Sequence, residues 1–177
     1  SEFKGMSPDE FYINFKSKFN LVQKSETLKK QLITYLYHIF ETELEYVEGF
    51  KDFYQKHILV PGIKTALVTN TERNIVNKII EYTSIDKYFS TIITSDDVLK
   101  NKPSPDPYLK SMLKLNVDPK YTLIVEDSSI GIASALKSGA DVVAIRTTLT
   151  NKQVISIDKK LKSFDKFDDI SKFLTCS

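Results

Sequence analysis

Cysteine is all but missing from this sequence. The single residue, Cys176, excludes an internal disulfide, and a reducing, cytoplasmic setting is the expectation. Histidine is nearly as scarce. With only His38 and His57, and no paired His, Cys or Asp spacing, no zinc site is expected. An excess of charge is lacking too. The 25 Lys and Arg stand against 23 Asp and Glu, interspersed, for a formal net charge of +2. That balance gives no argument for a nucleic-acid partner or an anionic membrane surface. No apolar run approaches the roughly 20 residues that a membrane-spanning helix needs, and the opening residues carry no legible secretory leader. Tryptophan is absent. So are a G-x-G-x-x-G fingerprint, a Walker loop and a G-x-S-x-G elbow.

What remains is 177 residues of which 41% are apolar, enough for one medium domain or a core with a small appendage. Residues 1–46 read as helical. Ser7-Pro8-Asp9-Glu10 has the form of a capping box with Pro at the first helical position. Phe11, Phe15 and Phe19 follow at helical spacing, and a second helix is predicted from about Ser25 to Glu45, with Leu28, Leu32, Leu36, Ile39 and Phe40 in its apolar stripe. A change of unit is expected near Val47-Glu48-Gly49-Phe50. Thereafter short apolar runs alternate with helical patterns. Strands are predicted over Ile63–Val68, Thr91–Thr94, Thr122–Val125 and Asp141–Ile145. Helices are predicted around Ile75–Ile80, Pro105–Leu115 and Ile130–Ser138, with a terminal helix from Phe164 to Leu174. Strands alternating with helices predict an α/β fold, a Rossmann-like parallel sheet flanked by helices, behind a partial N-terminal helical cap.

Three motifs stand where a strand pattern gives way to a helix pattern, the position at which open α/β sheets place their sites. In Leu67-Val68-Thr69-Asn70, Thr69 offers a hydroxyl and a backbone N–H at the mouth of the sheet, facing a helix N-terminus that favours an anion. Asn70 or Thr71 could equally cap that helix. In Asn101-Lys102-Pro103-Ser104-Pro105-Asp106, prolines stiffen the loop around Lys102, which suits a fixed negative charge, although a solvated, replaceable lysine is the plainer alternative. In Val125-Glu126-Asp127-Ser128, two acids follow an apolar strand, a costly placement unless a cation or hydrogen bonds satisfy them. Glu126 and Asp127 there suit Mg²⁺, with a helix cap by Asp127 as the alternative. Asp96 and Asp97 read as caps or a turn, and Asp158–Lys162 and Asp165–Asp169 as solvated surface.

Taken together, Leu67-Val68-Thr69-Asn70, Lys102-Pro103 with Pro105-Asp106 and Tyr108, and Val125-Glu126-Asp127-Ser128 with Gly131-Ile132 and Ala135 resemble the haloacid-dehalogenase-like hydrolase superfamily, in its β-phosphoglucomutase-like and phosphoglycolate-phosphatase-like branch. Lys4-Gly5-Met6-Ser7 resembles a turn in that branch's cap. The resemblance implies a cap over residues 1–46 and a core over 47–177. It implies that Thr69, Asn70 and Lys102 bind phosphate, with Thr69 and Lys102 catalytic, and that Asp127, with Glu126 beside it, holds Mg²⁺. The expected substrate is a small phosphorylated metabolite, hydrolysed through an aspartyl-phosphate. One departure matters. The family's first strand ends in Asp-x-Asp, nucleophile and acid/base, and no strand pattern here carries it. The core is therefore expected to lack its first strand, with an N-terminal fragment or another chain completing the sheet. The alternative is a non-catalytic phosphate- or protein-binding scaffold. A phosphorelay receiver is excluded by order, because its paired acids precede the lysine.

Overall fold

The computed structural model describes residues 8–59 and 63–175. The expectations for Lys4–Ser7 and Cys176 lie outside them. Two helices open the described chain, α1 (Pro8–Lys18) and α2 (Ser25–Thr42). After Gly49 comes a short helix, α3 (Phe50–Phe53), which continues as one wider turn over Tyr54–Ile58. Strands and helices then alternate: β1 (Ala66–Val68), α4 (Arg73–Thr83), β2 (Thr91–Ile93), α5 (Asp106–Leu115), β3 (Leu123–Glu126), α6 (Ser129–Lys137), β4 (Asp141–Ile145), α7 (Asn151–Ile157), β5 (Lys162–Phe164) and α8 (Phe167–Thr175).

Every strand pairing is parallel, so each crossover needs a helix to return the chain. The strands form two groups. β1 pairs with β2, Leu67 opposite Ile92, and β3, β4 and β5 pair in that order, Val125 opposite Val143 and Ile145 opposite Phe164. Among the described residues β1 and β3 each have a paired neighbour on one side only.

Period-two alternation explains the covering helices. Val125, Val143 and Ile145 point to one face, where they meet Phe53 of α3 and Ile170 of α8. Ile124 and Val142 point to the other and pack with Tyr108 and Met112 of α5 and Ala135 of α6, while Ala144 meets Ile132 of α6 and Val154 of α7. Both faces of β3 and β4 are therefore apolar and covered. The residues of β1, expected to be buried, are only half-buried, as befits a strand with one partner. An aromatic cluster centred on Phe50, with Tyr46, Tyr88, Phe89 and Phe167 around it, ties α3 to the segment entering β2 and to α8.

The helical pair docks on the α/β unit along α4. Lys29 pairs with Glu72 at 2.6 Å, the Lys78 ammonium lies 5.8 Å from the Tyr37 ring, and the Tyr46 hydroxyl donates to the Thr83 carbonyl at 2.7 Å. These contacts run in the same order along both segments, so α2 and α4 lie side by side and parallel, with Lys29 nearest the loop that leaves β1.

Three elements were not legible beforehand. α3 is one turn long, with Phe53 as its buried residue. α7 buries Val154 alone, although the reciprocal capping box of Thr150 and Gln153 that starts it was readable as T-x-x-Q. β5, Lys-Ser-Phe, has no apolar run and is held by its register on β4. Within the segment expected to be solvated, Lys162 instead opens that strand, and the terminal helix starts at Phe167 rather than Phe164. Ile170 has no exposed surface and closes the α3–α8 face. Ile170→Ala is expected to cost about 2–5 kcal/mol of stability, measured by urea denaturation.

Candidate functional site

The strand ends carry the chemistry. Lys102 leaves a loop yet is 7% exposed, and its ammonium turns back to the sheet. It donates to the Val68 carbonyl at the end of β1 at 2.9 Å and forms an ion pair with the Glu126 carboxylate at the end of β3. The Tyr108 ring lies 4.7 Å from the same nitrogen, a cation–π contact, and the Tyr108 hydroxyl donates to Glu126 Oε1. The loop is fixed at its backbone as well. Asn70 Nδ2 donates to the Lys102 carbonyl at 3.1 Å while the Lys102 N–H donates to Asn70 Oδ1 at 3.0 Å. Asn70 therefore does not cap α4. It clasps the lysine loop with two reciprocal bonds.

Glu126 is the centre of this arrangement. Its Oε1 accepts from Lys102 and Tyr108, and its Oε2 from the N–H groups of Asp127 and Ser128 and the Ser128 hydroxyl. Five donors saturate a carboxylate that offers about four lone-pair sites. Gly131 is required beside it, because a methyl there would overlap the Glu126 carboxylate. Both oxygens of Glu126, expected beside Asp127 at a metal, are engaged by the protein's own donors. Burial, and then the facing Glu126 charge, push the Tyr108 hydroxyl far above its usual range, so it stays protonated as a donor.

Thr69 and Asp127 each stand one residue beyond this buried bridge. The Thr69 hydroxyl accepts from the Thr71 N–H at 3.1 Å and donates to the Thr71 hydroxyl at 2.9 Å, which tightens the loop after β1. The start of α4 is already occupied by an anion of the protein itself, since Asp96 Oδ2 accepts from the Arg73 N–H at 2.6 Å. Asp97 closes a capping box with Thr94. Asp96 and Asp97 thus take the capping and turn roles read from the sequence. Ser128, not Asp127, caps α6, its side chain accepting from the Gly131 N–H at 3.0 Å. The Asp127 carboxylate accepts from the Thr147 hydroxyl at 2.6 Å. Among the described residues no three or more His, Cys, Asp or Glu side chains are grouped to hold a metal by themselves. Asp127 fits Mg²⁺ as a single carboxylate ligand, because that ion commonly takes one or two carboxylates and completes its shell with phosphate and water.

Removing one partner of a buried ion pair leaves the other charge uncompensated. A loop lysine would be replaceable at little cost, but this one is not. Lys102→Ala is expected to cost about 3–5 kcal/mol in urea denaturation, with Glu126→Gln added to it restoring most of the loss. Asp97 supplies a pH test. Burial alone would raise its pKa, but the Thr94 N–H and hydroxyl and the Arg73 guanidinium hold it below the ordinary value. Its contribution to stability is present above an ordinary carboxyl pKa of about 4 and is lost as pH falls through the lowered one. Asp97→Asn is expected to destabilise at neutral pH, with the difference from the parent shrinking in acid-denaturation curves below that value.

The profile of the family described as haloacid dehalogenase-like hydrolase matches residues 1–145. The chain is 30% identical over 133 residues to the pyrophosphatase PpaX of Oceanobacillus iheyensis, covering 74% of this chain and 62% of that protein. It is 32% identical over 112 residues to a bifunctional riboflavin kinase/FMN phosphatase of Arabidopsis thaliana, covering 62% and 30%. The chain thus spans less than two thirds of the length of these curated relatives. Among solved structures, a hydrolase from Pseudomonas syringae superposes with a TM-score of 0.78 at 16% identity, covering 97% of this chain and 79% of that one. CbbY from Rhodobacter sphaeroides, in complex with xylulose-(1,5)bisphosphate, gives 0.68 at 21% identity, covering 83% and 66%. At these identities the superpositions bear on the fold, a Rossmann-like α/β arrangement.

Proposed function

This chain belongs to the haloacid dehalogenase-like hydrolase family, and on that premise we propose that it provides the phosphate-handling part of a Mg²⁺-dependent phosphatase acting on small phosphorylated metabolites. The observation that carries the reading is the buried Lys102 ammonium, held across the ends of β1 and β3 by Val68 and Glu126. A cation fixed there by a rigid loop needs no reorganisation when a phosphoryl group arrives.

In this reading Lys102 offsets charge on the phosphoryl oxygens, Thr69 donates its hydroxyl once turned from Thr71, and Asn70 keeps the lysine loop in place. Asp127 would hold Mg²⁺, which when bound neutralises part of the phosphoryl charge. The attacking aspartate is supplied on a strand lying between β1 and β3, each of which has a side without a partner among the described residues. That strand comes from an N-terminal segment or another chain. Its carboxylate would displace the alcohol to form an aspartyl-phosphate, which water then hydrolyses. Helices α1 and α2 belong to a cap, with Lys29 and Tyr12 beside the loop after β1. By itself the 177-residue chain, with no Asp-x-Asp at a strand end, is expected to bind phosphate without turnover, which is the scaffold alternative.

The test is hydrolysis of p-nitrophenyl phosphate by a protein that includes the aspartate-bearing strand. Activity is expected with Mg²⁺ and not without it, and Asp127→Asn is expected to lower turnover by about a hundredfold or more. Equal rates with and without the ion, no hydrolysis, or full activity in Asp127→Asn would each sink the reading.

A further inference from the structure

The loop that leaves β4 makes a contact to the site that no motif marked. Thr147 donates its hydroxyl to Asp127 Oδ2 at 2.6 Å, and Thr148 donates to the Asp127 carbonyl oxygen at 3.0 Å. This loop is anchored from its other side. The Arg146 N–H donates to the Phe164 carbonyl at 2.7 Å, and the Arg146 guanidinium reaches Ser163 Oγ at 2.6 Å and Asp165 Oδ1 at 2.7 Å. The end of β5 and Asp165 thereby anchor Arg146, the residue just before the two threonines. The two threonines lie beyond residue 145, where the match to the family profile ends.

We propose that Thr147 is a positioning residue for Asp127, orienting its carboxylate toward a divalent cation. The inference rests on the assignment of Asp127 as the metal ligand. A carboxylate at a strand end turns about its own side-chain bonds, and a cation must freeze that rotation to bind. A hydroxyl bonded to Oδ2 freezes it in advance, and the anchored loop keeps the hydroxyl from following the carboxylate away. Hydrogen-bond donors behind a ligating carboxylate act in this way in metal sites generally.

The experiment uses the 177-residue chain and Mn²⁺ alone, with the free ion followed by electron paramagnetic resonance. Thr147 is exposed, so its replacement leaves the core intact. Thr147→Val, which keeps the shape and removes the hydroxyl, is expected to weaken Mn²⁺ binding about tenfold, and Thr147→Ala by a similar factor. Thr147→Ser, which keeps the hydroxyl, is expected to bind like the parent, and Asp127→Asn to lose binding. Thermal melts of all four confirm that they are folded. Parent-like affinity in both Thr147→Val and Thr147→Ala, with binding lost in Asp127→Asn, overturns the role of Thr147 and leaves Asp127 standing. Parent-like affinity in Asp127→Asn, or no binding by the parent chain, overturns the assignment of Asp127 and this inference with it.

Discussion

One buried ammonium ties the two strand groups together at the C-terminal ends of β1 and β3. Lys102 reaches the last carbonyl of β1 and the last side chain of β3 at once, and both it and Glu126 are nearly sealed from water. Burying two charges is costly, and here the cost is offset by a full set of partners: the Tyr108 hydroxyl and ring, the main chain of the 126–128 turn, the Ser128 hydroxyl, and Asn70 behind the lysine loop. A half-satisfied version of this network would destabilise the fold, so its members stand or fall together. Gly131 belongs to the set too, because its N–H donates to the Ser128 hydroxyl and its missing side chain leaves room for the Glu126 carboxylate.

The rest of the architecture places that bridge. Lys102 contacts the last residue of β1 and the last residue of β3, so the C-terminal ends of the two strands lie together, with Thr69 and Asp127 each one residue beyond. Apolar side chains on both faces of β3 and β4 bring α3 and α8 to one side and α5, α6 and α7 to the other. β1 is half-buried along its whole length. The helical pair adds its own hold through Lys29 and Glu72, just past the loop that contains Thr69 and Asn70.

Much of the fold was legible because hydrophobic periodicity is a local property. The strand Asp141–Ile145 matches its expected span, and the helices after β1, β2 and β3 begin and end within a few residues of their predicted limits. What escaped had little periodicity to show. β5 is three residues with one aromatic, α3 is a single turn, and α7 has one buried apolar side chain. At the site, residue types and their order pointed to Thr69, Asn70, Lys102, Glu126 and Asp127, but not to what each touches. Asn70 read equally as a helix cap, Glu126 as a metal ligand and Lys102 as a solvated cation. Thr147 gave no signal at all, since a threonine in a polar loop is ordinary until a neighbouring strand brings Asp127 beside it.

The sequence alone determined that strands alternate with helices and that acids and a lysine stand at the strand ends, because these follow from spacing along the chain. Only the tertiary structure decided that Glu126 serves Lys102, that Ser128 rather than Asp127 caps α6, and that the loop after β4 reaches back to Asp127. The first and the last of these depend on which groups meet across 20 or more residues of chain. There, desolvation and the supply of donors at the meeting point set the partner, and neither quantity is written in local spacing.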